Sequence, residues 1–360
     1  MKVALLTLTR GTVSGGYRKY LDRLVPLLRT QPEIDDVTSF VPLQMAAPDV
    51  TVYRSLRELR RLVAAARPDV IFVPTATLFR VGRIPVVTMV HNMEPLEVPF
   101  NGNSSKDAMK NIVRATASFY ACLRSQRVIA VSKHVRDFLQ NRWRISSKKI
   151  GVVHPGVDPA VTTNAQMPAA LAPVAGGRFL FTAGSIRPAR GLEDAIHALA
   201  SIPEDVKLVV AGSVDRGAEH YREGLDRLMA ERGVTSRVIW AGHLDRNGMS
   251  WCFRNAEFFV MTSHVEACPN IVLEAMAEAA PSISTDKQPM PELLGDAALY
   301  YRARDAAHLA EQLNAALAKP AGSFREMGER ARGRSVSFNW EATARGTIAE
   351  LQQAIDQCAS

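Results

Sequence analysis

Short apolar runs alternate along the chain with stretches in which apolar residues recur every three or four positions. Residues 3–7 form the first such run, and residues 17–28 follow with their apolar side chains at helical spacing. The second half of the chain repeats the alternation, with apolar runs at residues 179–181 and 258–261. Buried strands that alternate with amphipathic helices are typical of parallel sheets with helical connections. We therefore predict an α/β protein.

The alternation is interrupted near the middle of the chain. Residues 159–177 are rich in Ala, Pro, Thr and Gly and show no hydrophobic period, which is typical of a linker. A chain of 360 residues is long enough for two domains of ordinary size. We predict a first domain over residues 1–165 and a second domain over residues 176–337.

The stretch from residue 263 to residue 274 carries the most informative pattern in the chain. It follows an apolar run, and a helix is predicted to begin just after Pro269. Glu266 therefore lies in a strand-to-helix loop, and Glu274 lies near the first turn of the helix. A helix N-terminus presents unpaired N–H groups and a partial positive charge, so this loop suits a phosphate group.

This stretch resembles the signature of the family 4 retaining glycosyltransferases. That signature has two glutamates separated by seven residues, a Pro-Asn pair between them and a Leu-Glu-Ala-Met-Ala run at the second. The residues that stand in this pattern are Glu266, Pro269, Asn270, Ile271 and Glu274. The resemblance implies the GT-B fold, in which two Rossmann-like parallel-sheet domains face a central cleft.

The same resemblance implies a reaction. It implies a hexosyltransferase that retains anomeric configuration and moves a sugar from a nucleotide-sugar donor to a glycan or lipid-linked acceptor, in cell-surface polysaccharide or glycolipid synthesis. No cofactor and no metal ion are expected beside the donor. A non-catalytic protein that binds a nucleotide sugar on the same scaffold is the alternative, and the donor base (UDP, GDP or ADP) stays open. A final helix, at about residues 338–360, is expected to cross back to the first domain.

Two residues are expected to act on the donor sugar. Glu266 would bind its hydroxyl groups and favour the oxocarbenium-like centre, and His91 would contact it from the first domain. Glu274 would accept hydrogen bonds from the ribose. The expected donor-binding residues are Gly15, Gly16, Arg187, Arg190, His243, Pro269, Asn270, Ile271 and Glu274.

The local sequence supports two of these expectations and leaves an alternative open for each. A predicted strand, the pair Gly15-Gly16 and a helix form an anion-binding type of turn, although the dinucleotide and Walker A patterns are absent. A tight turn without a ligand is the alternative. His91 follows a predicted strand at residues 84–90, where α/β folds place ligands, and a structural histidine is the alternative.

The loop at residues 184–192 resembles the family segment that grips the donor diphosphate with two basic residues. Arg190 stands at one basic position and Ser185 at the other, and Arg187 is close enough in sequence to replace the missing charge.

Two alanines depart from the family pattern. Ala267 and Ala279 stand where relatives have glycine. Alanine is tolerated at such a position only where φ is negative, so both changes bear on the shape of the loops and the fit of the donor.

Charge is unevenly distributed along the chain. Residues 1–175 hold 24 Lys and Arg against 12 Asp and Glu, a net charge of +12, whereas residues 176–360 carry −4. A basic half is typical of proteins that bind nucleic acid, an anionic membrane or an anionic substrate, and simple solvation is the alternative. We expect no nucleic acid partner. We hypothesise peripheral contact with an anionic membrane through the arginines of the predicted helix at residues 53–66.

Composition and cysteine usage favour a cytoplasmic protein. No apolar run reaches the roughly 18 residues of a transmembrane helix, and the apolar stretch at residues 3–9 is too short for a signal peptide. The four cysteines lack metal-type spacing, which is typical of reduced thiols. We expect a cytoplasmic location, with peripheral binding at the inner membrane face.

Overall fold

The chain forms two compact units. The computed structural model describes residues 1–8, 15–97, 105–161, 165–215 and 217–359. The units comprise Met1–Gly156 with Phe338–Ser360, and Val157–Ser337.

Strands and helices alternate in both units. The strands are β1 (Lys2–Leu6), β2 (Asp36–Pro42), β3 (Thr51–Tyr53), β4 (Val70–Val73), β5 (Val86–Val90), β6 (Arg127–Ala130), β7 (Ile150–Val152), β8 (Phe179–Ala183), β9 (Lys207–Ala211), β10 (Val238–Gly242), β11 (Phe258–Met261), β12 (Ser282–Thr285) and β13 (Leu299–Tyr301). The helices are α1 (Gly15–Arg29), α2 (Leu56–Ala66), α3 (Glu94–Glu97), α4 (Ser105–Arg124), α5 (Lys133–Asn141), α6 (Leu192–Leu199), α7 (Glu219–Glu231), α8 (Arg246–Asn255), α9 (Asn270–Ala277), α10 (Met290–Leu294), α11 (Ala306–Leu317), α12 (Arg325–Ser335) and α13 (Trp340–Ala359).

The first unit is built on a parallel sheet. Within the described residues it has seven strands, in the order β3-β2-β1-β4-β5-β6-β7. Its central strands β4, β5 and β6 are buried along their whole length, which explains their unbroken apolar sequence. The sequence analysis did not predict β2 and β3. In β2, Asp36, Thr38 and Ser39 interrupt the apolar pattern, so the strand has no clear hydrophobic signal.

Helix α1 begins two residues earlier than its apolar spacing predicts. Tyr17, Tyr20, Leu24 and Leu28 are its buried residues, at the spacing of one helix face. Gly15 precedes them as the first residue of the helix. The glycine pair therefore belongs to the first turn of α1 and not to a preceding loop, which corrects the prediction.

The second unit has a sheet of the doubly wound type. Its described strands run in the order β10-β9-β8-β11-β12-β13, all parallel. Phe258 pairs with Leu180 and Phe259 with Phe181, which sets the register of β11 on β8. The strand order reverses between β8 and β11, and in such sheets this is the point where ligands bind.

The boundary between the units falls earlier than the predicted end of the first domain at residue 165. The backbone N–H of Val161 donates to Glu278 at 2.9 Å, and Arg246 donates to the carbonyl of Pro159 at 2.7 Å. These bonds place residues 157–161 with the second unit. A segment without a hydrophobic period gives no indication of its hydrogen-bond partners. The sequence therefore could not show to which unit residues 157–161 belong.

A buried ion pair holds the C-terminal helix on the sheet of the first unit. The Nε of Arg127, at the start of β6, donates to Oε2 of Glu350 on α13 at 2.8 Å, and both side chains are over nine-tenths buried. A Cβ built on Gly151 would overlap the Glu350 carboxylate, so glycine at this position of β7 leaves room for the ion pair.

We predict that Glu350→Ala lowers the free energy of unfolding by about 3–5 kcal/mol, because it leaves the Arg127 charge buried without its partner. Urea denaturation followed by circular dichroism measures the change. The control is the double variant Arg127→Met, Glu350→Leu, which removes both charges and should recover most of the loss. A single variant that loses less than about 1 kcal/mol would show that the pair does not hold α13 in place.

Candidate active site

A small pocket lies at the reversal point of the second sheet. It opens at the carboxyl ends of β8 and β11, where the residues after these strands approach each other. Its lining consists of Thr182, Ala183, Gly184, Ser185, Arg190, Leu192, Val210, Met261, Thr262 and Ser263.

Two glycines allow the loop after β8 to fold closely around this pocket. Gly184 has φ +133°, and a Cβ built on it would lie 2.7 Å from the guanidinium carbon of Arg190. Gly191 has φ +59°, and a Cβ there would lie 2.5 Å from the carbonyl oxygen of Thr262. Both positions thus need glycine for conformation and for space.

Two hydrogen bonds hold the backbone at Ala189 and Arg190 against the residues that follow β11. The Thr262 hydroxyl donates to the carbonyl of Arg190 at 2.8 Å, and the backbone N–H of His264 donates to the carbonyl of Ala189 at 2.9 Å. These two bonds fix the short 3₁₀ turn Pro188–Arg190 against the strand end.

The Arg190 side chain reaches Glu266. Its Nη1 donates to Oε1 of Glu266 at 2.5 Å and to the Ser263 hydroxyl at 3.3 Å. The side chains of Arg190 and Glu266 are 17% and 12% exposed, so the pair is mostly shielded from water. A charge-assisted bond of this kind is stronger than one between neutral groups. The structure thus brings two predicted site residues together, with a cation and a carboxylate side by side.

Glu266 lies just before the N-terminus of α9. Pro269 is buried and is the N-cap, and Asn270 and Ile271 are the half-buried first residues of the helix. Glu274 is half-buried and is the first residue of the second turn of α9. The sequence analysis placed it near the first turn, which ends one residue earlier. The N-terminus of α9, which carries a partial positive charge, therefore begins four residues after Glu266 in sequence.

Two other predicted site residues of the second unit lie near the carboxyl ends of β9 and β10, apart from the Arg190–Glu266 pair. Arg187 forms an ion pair with Asp215 at 3.7 Å, beyond the end of β9. His243 is exposed and follows β10, which is separated from β8 by β9.

The remaining predicted residues belong to the first unit. His91 follows β5, and its ring stacks on Tyr17 with centroids 5.1 Å apart and planes 13° from parallel. Tyr17 comes directly after Gly15 and Gly16 in α1, and both glycines are exposed. His91 is thus packed against the start of α1. A Cβ at Gly15 would meet no atom within 4 Å, so the packing of the described residues does not require glycine there.

Burial changes the acid–base properties of His91. Removal from water disfavours the charged ring and lowers its pKa from 6.5 to about 4, so the imidazole is neutral at pH 7. Among the described residues, its buried Nδ1 has no hydrogen-bond partner.

Sequence reasoning missed the residues that support Arg190. Gly184 directly follows β8, and Thr262 and Ser263 are the first two residues after β11, but the sequence analysis gave none of them a role at the site. That position at a carboxyl strand end was the available signal.

One of the two alanines that replace glycine is strained. Ala279 has φ +56°, whereas Ala267 does not have a positive φ. Ala279 lies just beyond α9, where the Ala280 N–H donates to the carbonyl of Ala275 at 2.9 Å in a Schellman motif. A left-handed conformation costs a residue other than glycine about 1–2 kcal/mol.

The described residues lack two features that would indicate metal or membrane binding. They contain no group of three or more His, Cys, Asp or Glu side chains arranged to hold a metal ion. In the same part of the chain, no helix combines the length and the apolar character needed to span a bilayer.

Solved structures with a similar fold extend over the whole chain. Sucrose-phosphate synthase from Thermosynechococcus elongatus has a TM-score of 0.78 at 20% identity and covers 100% of both chains. HepE from Anabaena, in complex with UDP-glucose, has a TM-score of 0.72 at 17% identity and covers 100% of this chain and 99% of its own. At these identities the similarity defines the fold, which is that of the GT-B glycosyltransferases.

Relatives by sequence are similar over part of their length. The D-inositol 3-phosphate glycosyltransferase of Mycobacterium leprae (strain Br4923) is 25% identical over 277 residues, which are 75% of this chain and 64% of that protein. The protein of the same name from Frankia alni is 26% identical over 247 residues, 65% of this chain and 60% of its own. The chain thus spans less than two thirds of the length of these relatives.

Two family models match nearly all of the chain between them. The model for Glycosyltransferase Family 4 matches residues 15–161, and the model for Glycosyl transferases group 1 matches residues 164–334, which include the Arg190–Glu266 pair. The chain belongs to the group 1 glycosyl transferases, with a first domain of the family 4 type.

We predict that His91 makes folding stability pH-dependent. Its folded pKa of about 4 lies below the ordinary value of 6.5, so the unfolded chain takes up the proton first as pH falls. The stability contribution is complete above pH 6.5 and is lost as pH falls towards 4, by about 2–3 kcal/mol. Urea denaturation of wild type and His91→Gln across this range measures it. The wild type should lose more stability than the variant, and equal losses would contradict the assignment.

Proposed function

We propose that this chain is a retaining glycosyltransferase that moves a sugar from a nucleotide-sugar donor to a glycan or lipid-linked acceptor. The observation that carries the proposal is the guanidinium of Arg190 fixed beside the Glu266 carboxylate, at the reversal point of a doubly wound sheet. A cation suits a diphosphate and a carboxylate suits sugar hydroxyls, and the two stand next to each other.

Relatives support a nucleotide-sugar donor. HepE was solved with UDP-glucose, and the curated relatives are glycosyltransferases named for D-inositol 3-phosphate. WaaG, with a TM-score of 0.72 at 15% identity over 97% of this chain and 99% of its own, is involved in lipopolysaccharide biosynthesis. We place the product of this chain in the same broad class, cell-surface polysaccharide or glycolipid, with a hexose as the transferred sugar.

The proposed reaction breaks the bond between the anomeric carbon and the diphosphate oxygen. Negative charge grows on the leaving diphosphate, where Arg190, Arg187 and the N-terminal amides of α9 at Asn270 and Ile271 would stabilise it. The acceptor oxygen forms the new bond on the same face of the sugar, and its proton passes to the leaving phosphate. The retained configuration follows from attack on that face, without a separate general base.

The other proposed roles concern the rest of the donor. Glu266 would bind hydroxyl groups of the sugar and stabilise the oxocarbenium-like centre, and Glu274 would accept hydrogen bonds from the ribose. Pro269 shapes the turn into α9, and His243 would pack on the base. For the first unit, the contacts of Gly15, Gly16 and His91 with the donor stay predictions.

A panel of UDP-, GDP- and ADP-sugars tests the function. Each donor is incubated with the chain, with and without a soluble glycan or a lipid acceptor, and nucleotide release is measured. Nuclear magnetic resonance of the product reads the anomeric configuration. Acceptor-dependent release with retention supports the proposal. Tight binding of a donor without release under any condition would favour a non-catalytic nucleotide-sugar-binding protein.

We predict that Glu266→Gln abolishes transfer while the fold stays intact. The amide keeps the size of the side chain but removes the negative charge that would face the oxocarbenium-like centre. Loss of one preorganised electrostatic group typically costs about a hundredfold to a thousandfold in rate. Turnover and a thermal melt are measured together, and turnover near that of wild type would remove Glu266 from the mechanism.

We predict that Arg190→Ala weakens binding of the nucleoside diphosphate more than Arg187→Ala does. Loss of a charge-assisted contact costs roughly 1.5–3 kcal/mol, or about tenfold to a hundredfold in affinity. Removal of Arg190 also leaves the Glu266 carboxylate without its cation beside the phosphates. Titration calorimetry measures both variants.

The matched control for the arginine prediction is the double variant Arg190→Ala, Glu266→Gln. It should bind the diphosphate more tightly than Arg190→Ala, because the repelling carboxylate is gone. A larger effect at Arg187 than at Arg190 would show that the Asp215-paired arginine is the one that grips the diphosphate.

A further inference from the structure

Helix α4 in the first unit exposes an unusual number of large apolar side chains. Met109 is 61% exposed, Val113 62%, Tyr120 50% and Leu123 47%, and Ile112 is exposed as well. Spacings of three and four place these side chains in one stripe along the helix. An apolar stripe that faces water marks a site of interaction.

The stripe is not the face that packs on the unit. Ala108, Asn111, Ala121 and Cys122 are the buried residues of α4, so a different side of the helix contacts the sheet. The helix is therefore already anchored, and its outer apolar side chains add nothing to the core of the first unit.

Cations accompany the stripe. Lys110, Arg114 and Arg124 are exposed on α4, and Asp107 in its first turn is the one acidic residue in the sequence of this helix. We call the exposed apolar stripe and these three cations together the α4 surface.

A neighbouring turn extends the α4 surface with the same chemistry. Trp143 packs on Phe119 of α4, with ring centroids 5.6 Å apart and an edge-on geometry. The residues on either side of it, Arg142 and Arg144, are both exposed. Tryptophan and tyrosine beside arginine are typical of side chains that lie at the boundary between lipid and water.

Helix α2, which the sequence analysis proposed as the membrane contact, differs from α4 in the exposure of its apolar side chains. On α2, Leu59 and Val63 are fully buried, whereas Leu56, its first residue, is 48% exposed. Arg57 and Arg61 are exposed. It therefore offers charge without an exposed apolar stripe along the helix.

We propose that the α4 surface docks on the surface of a bilayer that contains anionic lipid. The apolar stripe would enter the headgroup boundary, and the cations would contact lipid phosphates. Charge complementarity selects this occupant over a second copy of the chain, because a symmetric contact would bring the same cations face to face.

Vesicle binding of the full chain tests the proposal. Vesicles of phosphatidylcholine alone are compared with vesicles of equal parts phosphatidylcholine and phosphatidylglycerol, by sedimentation at low and high salt. We expect binding to the anionic vesicles that weakens with salt. The double variant Met109→Ser, Val113→Ser should bind roughly tenfold more weakly, because insertion depends on apolar area.

Charge variants distinguish vesicle binding through the α4 surface from vesicle binding through the net positive charge of the chain. Arg114→Gln with Arg124→Gln removes two cations beside the stripe and should reduce affinity for anionic vesicles roughly tenfold or more. The matched control, Arg57→Gln with Arg61→Gln on α2, removes the same charge and should have a clearly smaller effect. All altered side chains are exposed, and thermal melts check that each variant is folded.

Several outcomes would overturn the proposal. They are no binding of the wild type to anionic vesicles, equal loss from the α2 and α4 charge variants, or undiminished binding of the serine variant. A dimer in sedimentation velocity that the serine variant converts to monomer, without vesicle binding by the wild type, would instead identify a self-contact. None of these measurements uses the donor, so their failure leaves the proposed glycosyl transfer unaffected.

Discussion

The ion pair between Arg190 and Glu266 joins two loops that are 76 residues apart in sequence. The loops meet because β8 and β11 are neighbours at the centre of the second sheet, with Phe181 paired to Phe259. Parallel neighbours end at the same edge, so the residues after β8 must face the residues after β11. A shift in this pairing would separate Arg190 from its carboxylate partner and break the hydrogen bond that the Thr262 hydroxyl donates to the Arg190 carbonyl. The candidate site therefore depends on strand register.

The first unit shows how burial gives two basic helices different properties. Both α2 and α4 combine apolar residues with arginines, and their sequences alone make each a candidate for an anionic surface. In α2 the stripe at Leu59 and Val63 completes the core, whereas in α4 the stripe at Met109 and Val113 faces water. The same composition thus stabilises the fold in one helix and remains available for a partner in the other.

Much of the local structure around the site was predictable. The apolar run before residue 263 and the Pro-Asn pair indicate a strand, a loop and a helix, and the structure has β11, the loop with Glu266 and α9 in that order. The GT-B fold prediction is confirmed by both parallel sheets and by the fold's solved relatives. The ion-pair partners of Arg187 and Arg190 were not predicted, because a spacing in sequence does not specify whether an arginine meets Glu266 or Asp215.

The sequence by itself determined the elements that have a strong hydrophobic period, the family signature and the identity of the charged residues near it. Only the tertiary structure decided which face of each helix is buried, that residues 157–161 belong to the second unit, and that Ala279 has a positive φ. The reason is physical. Periodicity and capping act between residues a few positions apart, whereas burial, ion-pair partners and strained backbone depend on contacts between distant segments, which no local pattern encodes.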